Sequence, residues 1–190
     1  MKAKEIVICS LFAALMGVGA NVSPLLMIGA VPITLQLLFA ILAGGLIGSR
    51  LGSFSMGAYL FLGLVGAPIF AQFKGGPGSI FSPTFGYVIS FIFVAYIVGK
   101  FFEREKQSIF NSIGAGALAI VANYVIGTNY MYFAFKYWLA APEGFSYTMA
   151  WSWMTAYLPL DIVVTILSLG MLPRLQKTLK QKPLQKQSVV

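Results

Sequence analysis

Asp161 is the residue around which any chemistry in this sequence must be built. The chain of 190 residues holds only five acidic side chains, and the other four, Glu5, Glu103, Glu105 and Glu143, fall in terminal or linking segments. Asp161 instead lies in LPLDIVVTILSLG, near the middle of a span expected over Thr148 to Met171 and otherwise apolar enough for lipid. A carboxylate at that depth costs several kcal/mol, so it must face a cavity, a partner or a ligand. Two roles fit: a ligand contact, or a structural cap on the helix turn that Pro159 interrupts.

Other chemistries lack their parts. The sequence has no histidine and a single cysteine, Cys9, which leaves no histidine metal site, no histidine acid–base pair and no internal disulfide. The acids Glu103 and Glu105 belong to the charged link KFFEREK, and the serines have no identifiable base. The glycine run GGPGS at 75–79 has neither the spacing nor the terminal Lys–Ser/Thr of a phosphate-binding loop. Nothing here assembles an enzyme. What remains is a sparse set of hydrogen-bonding groups in an apolar chain: Thr34 and Gln36 at the start of a short span, Asn123 inside another, and aromatic side chains such as Trp151, Trp153 and Tyr157 just before Asp161. Few convergent polar groups in apolar walls is the composition of a small-molecule pocket.

The elements that must position these groups are membrane helices. With 58% hydrophobic and 9% charged residues, the chain reads as an all-α polytopic membrane protein of one domain. Six spans are expected: Ile6–Ile28, with Pro24 bending or ending it; Leu35–Gly48; Leu51–Phe70; Thr84–Val98; Ser108–Thr128, with a possible continuation through YMYFAFKYW; and Thr148–Met171. Residues 1–172 form the membrane domain, and Pro173 opens a flexible basic tail over 173–190. On this reading all but Lys74 and Lys136 of the 13 basic residues lie on the side of both termini, which places the termini in the cytoplasm. That distribution also explains the +8 charge without nucleic acid. The first span is read as a retained helix rather than a signal peptide. Its Ala13 and Gly17, four residues apart, share a face that permits close helix packing, either inside this chain or against a second membrane protein.

The longest glycine- and proline-rich link, AQFKGGPGSIFSPTFGY at 71–87, is expected to form an ordered outer lid, with Gly75, Gly76 and Gly78 supplying unusual backbone conformations. Tyr130, Tyr132, Tyr137 and Trp138 read as interfacial anchors, although some could line a pocket.

Taken together, VPITLQ (31–36), AGGLIGSRLG (43–52), FKGGPGSIFSPTFGY (73–87), IGT (126–128) and LPLD (158–161) resemble the BioY family, over about residues 6 to 172. These are the substrate-binding subunits of energy-coupling factor vitamin transporters, and their substrate is biotin. The resemblance implies a six-helix bundle in the bacterial plasma membrane with the vitamin held near the outer side under loops. It implies partners too: a transmembrane coupling protein, met by the small-residue face of the first helix at Ala13 and Gly17, and two cytoplasmic subunits that bind and hydrolyse ATP with Mg. No cofactor is expected on this chain itself.

Biotin carries a ureido head with two N–H donors and one carbonyl acceptor, an apolar body, and a carboxylate. Asp161 fits a ureido N–H through a charge-assisted bond. Tyr87, Asn123, Thr34 and Gln36 are further polar candidates, Trp151 and Tyr157 apolar ones, and Lys74 or Lys136 could meet the carboxylate from a loop. The pattern departs from the family at two places: Leu160 and Val164 stand where it has glycine and lysine around the aspartate, and Phe85 where it tends to glycine. Without that lysine, another small acid with an apolar body, such as lipoate, is the alternative substrate, and a self-sufficient secondary transporter the alternative mechanism.

Overall fold

The computed structural model describes residues 2–22, 27–28, 31–32, 34–103 and 108–180. They form an all-α membrane bundle of α1 (Ala3–Asn21), α2 (Gln36–Val65), α3 (Phe85–Phe102), α4 (Ile109–Tyr137), α5 (Tyr147–Thr155) and α6 (Leu158–Lys180). A minimal antiparallel pair, β1 (Met27–Ile28) and β2 (Val31–Pro32), precedes α2. Among the described residues, five helices are long and apolar enough to cross a membrane.

α2 supplies the sixth span, because it is a hairpin. Gly48 has φ 85° and ψ 170°, a backbone conformation open to glycine and hostile to other residues. Beyond it the chain runs back on itself: the Gln36 amide donates to the Tyr59 hydroxyl at 3.0 Å, whereas a straight helix would part residues 23 apart by about 35 Å. The arms 36–47 and 49–65 correspond to the separately expected second and third spans. α3 packs against both arms and against α4, and α1 and α6 flank the hairpin. Fully buried Met16, Ile41, Met56, Val94, Val98 and Leu172 fill the space among them.

The turn of the hairpin is closed by contacts that leave no room for side chains. The Gly99 Cα of α3 lies against the Ser49 backbone, and Gly44 lies against the Ala95 carbonyl. Ser49 opens the second arm, so its N–H lacks a partner within the helix. Glu103 takes that bond at 2.7 Å and the Ser49 hydroxyl at 2.8 Å. Burial opposes ionisation of the Glu103 carboxyl, but the Ser49 bonds and Lys100, 3.5 Å away, outweigh it and hold its pKa below the ordinary carboxylate value. From α6, Gln176 donates to the Gly45 carbonyl at 2.7 Å. Arg50, Lys100, Arg174 and Lys177 share this end, as the charge distribution requires of the cytoplasmic side.

Several boundaries differ from expectation. The first helix stops at Asn21 rather than Ile28; the Asn21 side chain bonds back to the Gly17 carbonyl, competing with continued helix. The bend expected at Pro24 lies outside the described residues. The last span is two helices, not one, with a break at 156–157, which puts Asp161 in the first turn of α6 instead of mid-helix. Pro159 suits that position, since a first-turn residue has no intrahelical use for its N–H. α6 also continues through Pro173 to Lys180, so the expected boundary after residue 172 falls inside a helix. Ala13 does not form an open docking face: it is 4% exposed in the core, and Gly17 faces Ile69. Ala13 therefore serves packing within the chain, while Gly17 is only half-buried.

Candidate functional site

At the end opposite the basic turn, the helices part around a cavity of about 610 Å³. Its inner wall comes from α3, α4 and α6. Asn123 and Tyr124 stand on α4 about 20 Å below the helix end at Tyr137, well beneath the outer surface. The Tyr124 hydroxyl donates to Asp161 Oδ2 at 2.7 Å. A carboxylate has about four acceptor sites, so this bond orients Asp161 without exhausting it. Among the described residues no basic side chain pairs with Asp161, and Val164 three residues on is buried in the core. Tyr124 is what stands against the carboxylate.

The two short motifs GY (86–87) and GT (127–128) interlock to form this wall. The Tyr87 ring lies over Gly127, and the Tyr130 ring over Gly86, each in space that a Cβ would fill. The Tyr87 hydroxyl then meets Thr128 Oγ1 at 2.9 Å. One turn further along α3, the Ser90 hydroxyl is shared between the Tyr87 carbonyl at 2.7 Å and Asn123 Oδ1 at 2.6 Å, which leaves the Asn123 NH2 as its donor end at the cavity wall. Gln36 is 5% exposed, and with its NH2 on Tyr59 it retains its carbonyl oxygen as an acceptor.

The outer wall is the 66–84 segment. Two tight turns, Ala71–Phe73 and Pro77–Phe81, carry Lys74, Gly75, Gly78 and Ser79 to the cavity, and Ser82 and Thr84 continue the polar rim. Pinning comes from α4: Tyr130 donates to the Ile80 carbonyl, and the Trp138 indole donates to the Phe81 carbonyl at 2.9 Å. Ring contacts run from Tyr59 through Phe70, Phe85 and Tyr130 to Trp138, spanning the mouth beneath the loop. Phe85, the residue that departs from the family pattern, is thus an apolar wall of the cavity.

Of the residues expected at a site, Thr34, Gln36, Lys74, Gly75, Gly78, Tyr87, Asn123, Tyr157 and Asp161 line this one cavity. Three others do not. Lys136 points away, its ammonium 5.7 Å and 5.5 Å from the Tyr132 and Tyr137 ring centres. Trp151 packs on Tyr147 and does not reach the cavity, although Met154, one turn further along α5, does line it. Gly76 has φ 92° and shapes the loop without reaching the cavity. Tyr124, Phe70 and Met154 escaped the sequence reading, and Phe85 stood out there only as a departure from the family pattern, since single aromatic or apolar residues in membrane spans carry no signal of which face they occupy. For Tyr124 a signal existed in the adjacent Asn123 and in IGT two residues on.

A lidded cavity inside a membrane bundle, with an acceptor-rich inner wall and a lysine on the outer one, defines a membrane-embedded binding protein for a small molecule with two polar ends. Comparison with known proteins agrees. A family model described as the BioY family matches residues 1–181, and the chain belongs to that family. It is 34% identical to BioYB of Bacillus subtilis (strain 168), over 94% of this chain and 90% of that one. It is 40% identical to the "Probable biotin transporter BioY" of Pyrococcus horikoshii, over 77% of this chain and 80% of that one. A solved structure of "the S-component for biotin from an ECF-type ABC transporter" superposes with a TM-score of 0.71 at 26% identity, covering 93% of this chain and 95% of the other.

Proposed function

We propose that this chain captures biotin at the outer face of the membrane, as the substrate-binding subunit of an energy-coupling factor importer. The observation that carries the reading is Asp161, an acceptor held by Tyr124 at the inner wall next to the donor end of Asn123. A ureido head asks for that combination: N–H groups donate to Asp161 and to the Gln36 carbonyl, and the ureido oxygen accepts from Asn123. The apolar body then lies along Phe70, Phe85 and Tyr157, and the carboxylate reaches Lys74 with the Ser79, Ser82 and Thr84 hydroxyls around it. With no basic residue beside Asp161, the carboxylate end is directed to the loop. Lipoate has no ureido donors and would leave Asp161 buried without a ligand partner, a cost that favours biotin.

The chain itself performs no chemistry. Uptake on this reading is driven by a transmembrane coupling protein and two ATP-hydrolysing subunits, the partners the family resemblance implies; the relative of solved structure is itself described as the S-component of an ECF-type ABC transporter. Equilibrium titration of the purified chain in detergent, with biotin and lipoate separately and in competition, tests the ligand. Biotin displacing lipoate supports the ureido-reading wall, and lipoate displacing biotin overturns it. Accumulation in vesicles by this chain alone under an ion gradient would overturn the dependence on partners.

A further inference from the structure

The end of α1 reaches into the outer loop at one point. Asn21 Oδ1 accepts the Phe73 N–H at 2.7 Å, while its Nδ2 donates to the Gly17 carbonyl at 2.9 Å and approaches the Ile69 carbonyl at 3.4 Å. The turn it holds is strained. Gln72 has φ 64° and Phe73 φ 55°, two consecutive left-handed residues, neither of them glycine. Such conformations persist only where surrounding contacts enforce them. Burial of the Phe73 ring is not the enforcing contact, since that side chain is 67% exposed. What enforces the turn is hydrogen bonding: Asn21 on the Phe73 amide, the Phe70 N–H on the Lys74 carbonyl at 2.9 Å, and the Tyr59 hydroxyl on the Ile69 carbonyl at 3.0 Å. The turn delivers the very next residue, Lys74, to the cavity.

We infer that Asn21 is a positioning residue for ligand recognition: by holding the Phe73 amide it keeps the strained 70–74 turn in the shape that aims Lys74 at the ligand's carboxylate. The inference rests on the reading of Lys74 given above. Asn21 lies at the end of α1 and acts through the loop without itself lining the cavity. Loss of its side chain frees Gln72 and Phe73 to relax toward ordinary backbone angles, which rotates Lys74 out of register.

The test compares dissociation constants for biotin and for its neutral carboxamide in the full chain, wild type and variants. Both ligands share the bicyclic head, so carboxamide binding reports an intact inner wall, and the ratio of the two constants reports carboxylate recognition. Lys74→Ala should reduce the preference for biotin by roughly tenfold, the size of one charge-assisted bond. Asn21→Ala should remove most of the same preference while carboxamide binding stays near wild type. The double variant should be no worse than Lys74→Ala alone, because the two residues act in series. Adding Gln72→Gly to Asn21→Ala should restore part of the preference, since glycine accepts the left-handed conformation freely. An unchanged ratio in Asn21→Ala beside a lowered one in Lys74→Ala would overturn the inference and spare the Lys74 reading. Additive losses, or equal loss of both ligands, would also overturn it. An unchanged ratio in Lys74→Ala would sink the Lys74 reading itself, and the inference with it.

Discussion

At the cytoplasmic end, α3 runs so close to the α2 turn that Gly99 and Gly44 admit no Cβ, and the Glu103 carboxylate is bonded to the turn's own backbone. At the outer end the same two helices are separated by Phe70 and Phe85, with Tyr130 and Trp138 of α4 reaching over to hold the loop. Glycine closes one end of the bundle; aromatic rings prop the other open and roof it. Backbone-to-backbone contact has no slack, whereas rings on single side-chain hinges and a loop pinned mainly by hydrogen bonds can yield to a ligand. The bundle therefore combines a fixed base with an adaptable mouth, the division of labour that capture under a lid requires.

If the two ends are independent in this way, damage at the base should appear in stability and damage at the mouth in affinity. The largest effect is expected for Gly99→Leu. Its side chain would have to displace the Ser49 backbone, and a loss of about 3 kcal/mol or more is expected, the upper end of core overpacking. Thermal unfolding in detergent should show a large fall, while the protein that remains folded binds biotin with near wild-type affinity. A matching loss of affinity at low temperature would break the comparison, because the base would then be shaping the mouth.

Asp161→Asn should do the reverse. It keeps the size of the side chain but replaces a charged acceptor, so biotin affinity should fall roughly 10- to 100-fold with little change in melting temperature. Calorimetric titration measures it, and unchanged affinity would remove Asp161 from the binding site. Tyr124→Phe sharpens the same point. The hydroxyl alone is lost, and with it the orientation of Asp161, for an expected weakening of about fivefold, one neutral-to-charged bond partly replaced by water or ligand. If Tyr124→Phe instead tightened binding, the tyrosine would be competing with the ligand for the carboxylate rather than presenting it.

How much of this was legible beforehand follows from what each residue's signal depends on. Span count and orientation were readable, because they rest on long apolar runs and on where lysine and arginine fall, both local properties. The hairpin was readable as two spans around GGLIGSRLG, since Gly48 and Arg50 mark a turn at a membrane face. The α5–α6 break was not: apart from Thr155 and Asp161 the stretch TAYLPLD is apolar, and hydropathy is blind to two helices that share one depth. At the site, Asp161 announced itself by rarity, and Lys74 by lying in the outer loop. Lys136 had the same charge on the same side, and only its place on the outward face of α4, over Tyr132 and Tyr137, separates it from Lys74. Trp151 and Tyr157 were indistinguishable in sequence for the same reason. Tyr130 and Trp138 were read as anchors to the interface and prove to anchor the loop, a choice made by the partner carbonyls of Ile80 and Phe81, fifty or more residues away.

The smallest expected effect concerns the base again, through its one titrating clamp. The folded-state pKa of Glu103 is held below its ordinary value of 4.5, so its contribution to stability is present in full above that value and is lost as pH falls through the lower, folded one. Glu103 is 42% exposed, and solvent screening keeps that contribution modest. Lowering the pH from neutral to below 4 should therefore shift the wild-type unfolding midpoint downward slightly more than that of Glu103→Gln, which has no proton to gain there. Biotin affinity at neutral pH should be the same in both. Equal acid shifts would mean that the Ser49 N–H is satisfied as well by water as by Glu103, and that the packing of Gly99 and Gly44 alone holds the turn. A change in affinity at neutral pH would carry more weight, since it would show a contact at the cytoplasmic turn reporting to the cavity along α3, the helix the two ends share.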